Sequence, residues 1–136
     1  MSTFSPFVAA LHVFIGGGVG AVLRWQLGRG MTSWLGAPIV TAFPFATLAA
    51  NAAGSLAMGL LAGWLARSGS GDGEQLRLLL GVGLLGGFTT FSAFSLEMVL
   101  LIQRGQYLFA LLYAILSMAL GITGLMVGLG VMRMAA

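Results

Sequence analysis

An all-α membrane protein of four transmembrane helices is the fold class this sequence predicts, and three observations carry it. Of 136 residues, 59% are hydrophobic and 7% are charged, with a mean hydropathy of +1.03; a soluble domain carries about 25% charged residues. The polar positions punctuate four apolar stretches near 5–27, 43–66, 76–102 and 107–131. Each approaches or exceeds the ~20 residues that cross a ~30 Å hydrocarbon core. The third contains a small-and-hydroxyl patch, Gly86-Gly-Phe-Thr-Thr-Phe-Ser92. A helix weakened at membrane depth is tolerated only where protein or a water-lined path covers its backbone, so the third helix is expected to be broken at a site. One four-helix domain covers 1–136, with neither a second domain nor a clear internal repeat.

The first apolar run lacks a preceding basic region, so it reads as a retained span rather than a cleaved signal peptide. His12 has no second metal ligand near it and reads as a packing residue. Arg24, in the last turn, either snorkels to the interface as an anchor or raises the local anion concentration at a pore mouth. Arg29 through Pro44 is the first connection, with Gly36, Pro38 and Pro44 as stop signals and Trp34 suited to an interface, and its apolar character suggests a surface-lying turn. Asn51 lies near the start of the second span, where its amide can donate to an anion or to a neighbouring carbonyl. Residues 67–74 form the plainly aqueous loop.

In the third span Phe88, Phe91 and Phe94 recur every three residues with Thr89, Thr90, Ser92 and Ser95 between them, giving an aromatic stripe beside a hydroxyl stripe on a continuous helix. Such stripes are usually packing. Here Gly86-Gly87 can open the backbone, the hydroxyls need partners, and electropositive ring edges can face an anion in a narrow dry passage. A break over Gly86–Thr89 would aim freed carbonyls at a centre able to hold a bare cation such as Na⁺. Glu97, the sole acid within a span, is expected to bond a hydroxyl or backbone group in a structural role. Arg104-Gly-Gln is a tight turn into the fourth span, where Tyr113 and Ser117 share a face and Thr123 lies off it.

Glycines four apart occur at Gly16/Gly20, Gly59/Gly63, Gly83/Gly87 and Gly124/Gly128, each a face for close helix contact. Four short helices make a thin bundle for enclosing both a core and a path, which favours a homodimer; packing within one subunit is the other use of these faces. The arginines divide evenly: Arg67, Arg77 and Arg133 lie on the side of the termini, with Arg24, Arg29 and Arg104 opposite. The positive-inside bias is thus missing, which admits insertion in both orientations; discounting Arg24 as a site residue leaves a weak tilt to the terminal side.

Several function classes fall away. Neither tail holds the basic run that nucleic-acid binding needs. There is no acid–base pair, metal-ligand cluster or activated nucleophile, so an enzyme is not expected. Gly81-Val-Gly-Leu-Leu-Gly86 fits a dinucleotide pattern by chance, since it follows a helix-like run rather than a strand. A multidrug exporter wants an embedded acid early in a helix, which the first span lacks. A scaffold would have no reason to gather Asn51, Ser92 and the phenylalanine pair.

The Gly-x-Gly-Ala-x-x-Arg run at 18–24, Asn51 with Gly54, and above all Gly86-Gly-Phe-Thr-Thr-Phe-Ser-Ala-Phe94 resemble the CrcB/Fluc family of fluoride channels over essentially the whole chain. The resemblance implies an antiparallel, dual-topology homodimer with two pores in the lipid bilayer, multi-pass in the cell inner membrane, exporting fluoride passively. It further implies a central structural Na⁺ on the carbonyls of Gly86 and Thr89. Phe91 and Phe94 would turn ring edges to fluoride, Asn51 and Ser92 would donate hydrogen bonds, and Arg24 would sit in a vestibule. Tyr113 and Ser117 resemble the start of the family's polar track, and Gly121 stands where its next hydroxyl would be expected, which raises the question of whether Thr123 substitutes.

Overall fold

The computed structural model describes residues 5–69 and 73–135, so part of the expected 67–74 loop lies outside the described residues. Helix α1 is Pro6–Leu35, α2 is Ala37–Ala42 and α3 is Phe45–Ser68. The third span is divided. Its first half, α4 (73–88), is α-helical at Gly73–Leu76, wound as a π-helix at Arg77–Leu85 and α-helical again at Gly86–Phe88, while its second half, α5, is Phe91–Gln103. Helix α6 is Tyr107–Met134. Four helical segments, with α4 and α5 counted together, are long and apolar enough to cross a membrane, making this a multi-pass membrane protein.

Local chemistry sets the boundaries. Ser5 Oγ accepts from the Val8 amide and Pro6 takes the first helical position, where its missing N–H costs nothing. Helix α1 outruns its expected end at 27 because Gln26 and Arg29 are polar without being helix breakers; the guanidinium of Arg29 lies 5.0 Å over the Trp25 ring. Termination waits for Gly36, whose φ of +89° suits glycine. The expected 29–44 turn is therefore mostly helical, with residues 29–35 finishing α1 and α2 filling most of the remainder. The Arg104–Gln106 turn is as expected, with Gly105 at φ +72°.

The glycine pairs build two seams inside the subunit. Helix α1 packs chiefly on α4, and α3 on α6. A Cβ on Gly16 would overlap the Leu79 carbonyl oxygen, one on Gly20 the Leu84 oxygen, and one on Gly87 the Gly17 oxygen; one on Gly83 would stand 2.9 Å from the Gly16 Cα. In the other seam a Cβ on Gly59 would strike the Leu125 oxygen, and one on Gly128 would lie 2.5 Å from the Leu56 oxygen. These faces thus bring backbones together within one chain, and the glycines do not by themselves argue for association between copies.

Where α3 begins and α5 and α6 meet, Phe43, Leu48, Leu101, Ala110 and the fully buried Tyr113 form a small core, with Phe94 and Met98 against it. The outer faces remain apolar: Phe7 and Phe14 are 72% and 76% exposed, as a bilayer-facing surface requires.

Gly16→Ala and Gly59→Ala are each expected to cost about 1–3 kcal/mol, because the added methyl meets rigid backbone rather than a side-chain tip. Gly18 has open space around it, so Gly18→Ala should be neutral or stabilising by up to ~1 kcal/mol. Denaturant titration of the three variants in detergent checks the contrast.

Candidate functional site

Of the expected Gly86–Thr89 break, only its last residue opens, and Gly86-Gly87 stays helical. Gly86 is helical (φ −63°, ψ −38°), and the break falls at Thr89 (φ −84°, ψ 158°) and Thr90 (φ −153°, ψ 128°), both extended. Gly87 instead serves the seam with α1. The threonines supply their own caps: Thr89 Oγ1 donates to the Leu85 oxygen at 2.8 Å, and Thr90 Oγ1 accepts from the Ala93 amide at 3.2 Å, starting α5. Thr90 Oγ1 also pairs with Ser92 Oγ at 3.3 Å.

What the break cannot satisfy locally, α3 supplies. Asn51 Oδ1 accepts from the Thr90 amide at 2.8 Å, and Asn51 Nδ2 donates to the Thr90 carbonyl at 3.0 Å. One side-chain amide thereby pairs both backbone groups of an extended residue, as a neighbouring strand would. Gly54, three residues on, lets α3 approach, since a Cβ there would overlap the Thr89 methyl. Arg24 closes the other end, its Nε donating to the Gly87 carbonyl at 3.3 Å, where the α4 terminus carries partial negative charge.

Around the break the aromatic stripe is split. Phe88, on the α4 side, faces a cavity with Leu23 and Trp34. Phe91 and Phe94 stay together with ring centroids 5.8 Å apart, and Phe94 continues to Tyr113 at 5.0 Å. Phe91 is 79% exposed on the single chain. The Tyr113 hydroxyl donates to Glu97 at 2.6 Å, and the Thr47 hydroxyl donates to the same carboxylate at 2.7 Å, joining α3, α5 and α6. Glu97 thus bonds hydroxyls, as expected, but two of them. Thr47 went unnoticed in the sequence, although it lies four residues before Asn51 on one face of α3.

Several cavities adjoin these groups. A cleft of about 780 Å³ is lined by Arg24, Arg29, Thr32, Thr47 and Glu97, two cations against one acid. A cavity of about 300 Å³ is lined by Asn51, Ser55, Thr89, Thr90 and Phe91. Ser117 lies in a third, of about 350 Å³, with Ser55 and Gly121. Asn51, Ser92, Phe91 and Phe94 are therefore gathered at the break with Gly86 and Thr89, and Arg24 caps it. Tyr113 is held in the core by Glu97, apart from the cavity that Ser117 lines.

Asn51→Ala would strand a donor and an acceptor at membrane depth, each costing about 1–3 kcal/mol. We expect lower stability and faster amide exchange at Thr90, with Asn51→Asp intermediate because it keeps only the acceptor; hydrogen-exchange measurements in detergent check the order.

A family model described as CrcB-like protein, Camphor Resistance (CrcB), matches residues 11–129. Three proteins described as fluoride-specific ion channel FluC are similar along most of their length. That of Erythrobacter litoralis is 57% identical over 136 residues, covering 100% of both chains. That of Novosphingobium aromaticivorans is 60% identical over 125 residues, 92% of this chain and 96% of the relative. That of Phenylobacterium zucineum is 50% identical over 121 residues, 89% and 92% of the two chains. With matches that run through all four spans and the break, the chain belongs to the CrcB/FluC family of fluoride channels, a family of channels rather than of enzymes.

Proposed function

We propose that this chain is a fluoride-selective passive channel, multi-pass in a bacterial inner membrane, that lets accumulated cytoplasmic fluoride leave down its gradient. The observation that carries the reading is the Asn51-pinned break with Phe91 beside it, in a chain whose relatives are described as fluoride-specific channels. A small, strongly hydrated anion must exchange water for donors. Asn51 Nδ2 has a second hydrogen beyond the one bonded to Thr90. Ser92 adds a hydroxyl, and the Phe91 and Phe94 ring edges add weak positive potential. The cleft with Arg24 and Arg29 raises local anion concentration ahead of that constriction. Tyr113 backs the Phe94 ring and Ser117 offers a hydroxyl beyond it. Larger halides would gain less from such closely set donors. Hydrogen fluoride is a weak acid that crosses membranes neutral and ionises inside, so outward leak of the anion suffices for protection and no energy coupling is needed.

The working unit in this reading is an antiparallel homodimer with two pores. Support comes from the weak charge bias, three arginines against two once Arg24 is set aside as a site residue, and from Phe91, which projects uncovered from one subunit and would gain a wall from a second. A structural Na⁺ would be held by the Gly86 and Thr89 carbonyls. The end of a helix leaves its last carbonyls without helical partners, and its dipole favours a cation. Backbone carbonyl oxygens are hard, uncharged donors of the kind that suits such a cation. One chain offers half a set, which the same break in an antiparallel partner would complete. Bound there, the ion would supply positive charge that ties two breaks together.

Liposomes loaded with equal fluoride and chloride, with a potassium ionophore to relieve charge, should release fluoride and retain chloride; equal release, or none, defeats the proposal. Phe91→Leu and Phe94→Leu should each slow fluoride release about three- to tenfold, the rate equivalent of the ~0.5–1.5 kcal/mol that a well-placed aromatic contact contributes. For the cation, thermal unfolding of the purified protein should shift upward in Na⁺ relative to N-methylglucamine. Identical midpoints would remove the Na⁺ site from the account.

A further inference from the structure

The spacing of Tyr113 and Ser117 sets a face of α6 whose next member is Gly121, which has no hydroxyl to offer. Thr123 does not stand in, because it is exposed and lines neither the Ser117 cavity nor the cavity at the break. The neighbouring helix fills the position. A Cβ built on Gly121 would stand 3.6 Å from Ser55 Oγ, so the Ser55 hydroxyl lies against the space that a side chain at 121 would enter. Ser117 Oγ, in the same cavity, is buried without a hydrogen-bond partner among the described residues. Lone serines in membrane helices ordinarily donate to the carbonyl of their preceding turn, as Ser95 does to Phe91 at 2.9 Å. An unsatisfied hydroxyl at this depth is costly unless something passing through the cavity accepts a hydrogen bond from it.

Ser55 also lines the cavity with Asn51, Thr90 and Phe91, and of the residues common to both cavities it is the polar one, Leu125 being the other. We infer that Ser55 is a fluoride-binding residue: its hydroxyl, reaching from α3, replaces the one missing at Gly121 of α6 and joins the donors at the break to Ser117. The inference rests on the fluoride reading above. The chemistry is hydrogen-bond donation from an uncharged O–H, which suits a small anion that accepts hydrogen bonds strongly and adds no fixed charge that would trap it.

The exchange of helices supplies the test. In the liposome assay Ser55→Ala should slow fluoride release about three- to tenfold, the range of one lost hydrogen bond. Adding Gly121→Ser should restore it, because the hydroxyl is returned to the same cavity from α6 while residue 55 remains a methyl. Unchanged release in Ser55→Ala, or a double variant no faster than the single one, overturns the assignment. Gel-filtration profiles and unfolding midpoints of the single and double variants are compared with the parent, since recovered flux at an unchanged midpoint is an effect that packing alone does not give. Absence of fluoride release from the parent protein would instead remove the channel reading, a separate outcome from a parent that conducts and a Ser55→Ala that conducts equally.

Discussion

The rest of the site depends on how two extended residues are kept satisfied inside a membrane. Thr89 keeps its amide bond to the Leu85 carbonyl at 3.0 Å, but the Thr90 backbone leaves the helical ladder where no bulk water can replace it, and the cost of leaving such a pair open is several kcal/mol. The Asn51 amide meets both groups of Thr90 at once, and few side chains present a donor and an acceptor side by side. Its presence dictates its neighbours. Gly54 must be bare so that α3 comes near enough, Gly87 must be bare so that α1 backs the end of α4, and Arg24 on α1 is then placed to take the Gly87 carbonyl. The broken helix is thus a joint product of three spans rather than a property of its own sequence.

This arrangement also governs how the subunit is held together. Glycine seams draw α1 to α4 and α3 to α6, and close backbone contact replaces the large side-chain core of a soluble domain. The larger side chains collect at one end, around Tyr113, where the Thr47–Glu97–Tyr113 bonds tie α5 to both members of the second seam. A carboxylate that accepts two hydroxyls in this way fixes the position of Phe94, one turn before it on α5 and 5.0 Å from the Tyr113 ring. Phe91 receives no such support within the chain.

Much of this was legible in the residues. Span number, the turn at Gly105, the break in the third span and the bonding of Glu97 to a hydroxyl all follow from composition and local chemistry. The failures have a common physical origin: periodicity identifies a face but not what it meets. The glycine pairs were visible as small faces, yet nothing in their spacing said that Gly16 meets the backbone at Leu79 and Gly59 that at Leu125. Gly86-Gly87 was the natural place for a break by propensity, and tertiary packing overrode it, because Gly87 is needed for close approach and Asn51 stabilises extension two residues later. The end of α1 was misplaced for the converse reason, polarity being a membrane signal and not a helix-breaking one. Bonds between residues 63 apart, such as Arg24 to Gly87, leave no local trace.

The arginines connect packing with topology. Arg24 donates to the last turn of α4, Arg67 to the Met132 and Ala135 carbonyls at the end of α6, and Arg104 to Thr41 at the end of α2. Each cation sits where a helix terminus concentrates partial negative charge, so its place is set by a carbonyl that needs a donor. With the spans alternating in direction, Arg67 and Arg104 cap helix ends on opposite sides, while Arg24 caps α4 at the break inside the third span. Three of the six arginines are thus committed to structure, although cells read the same residue type for orientation. Moving one of these three cations to change the charge bias would therefore uncap a helix.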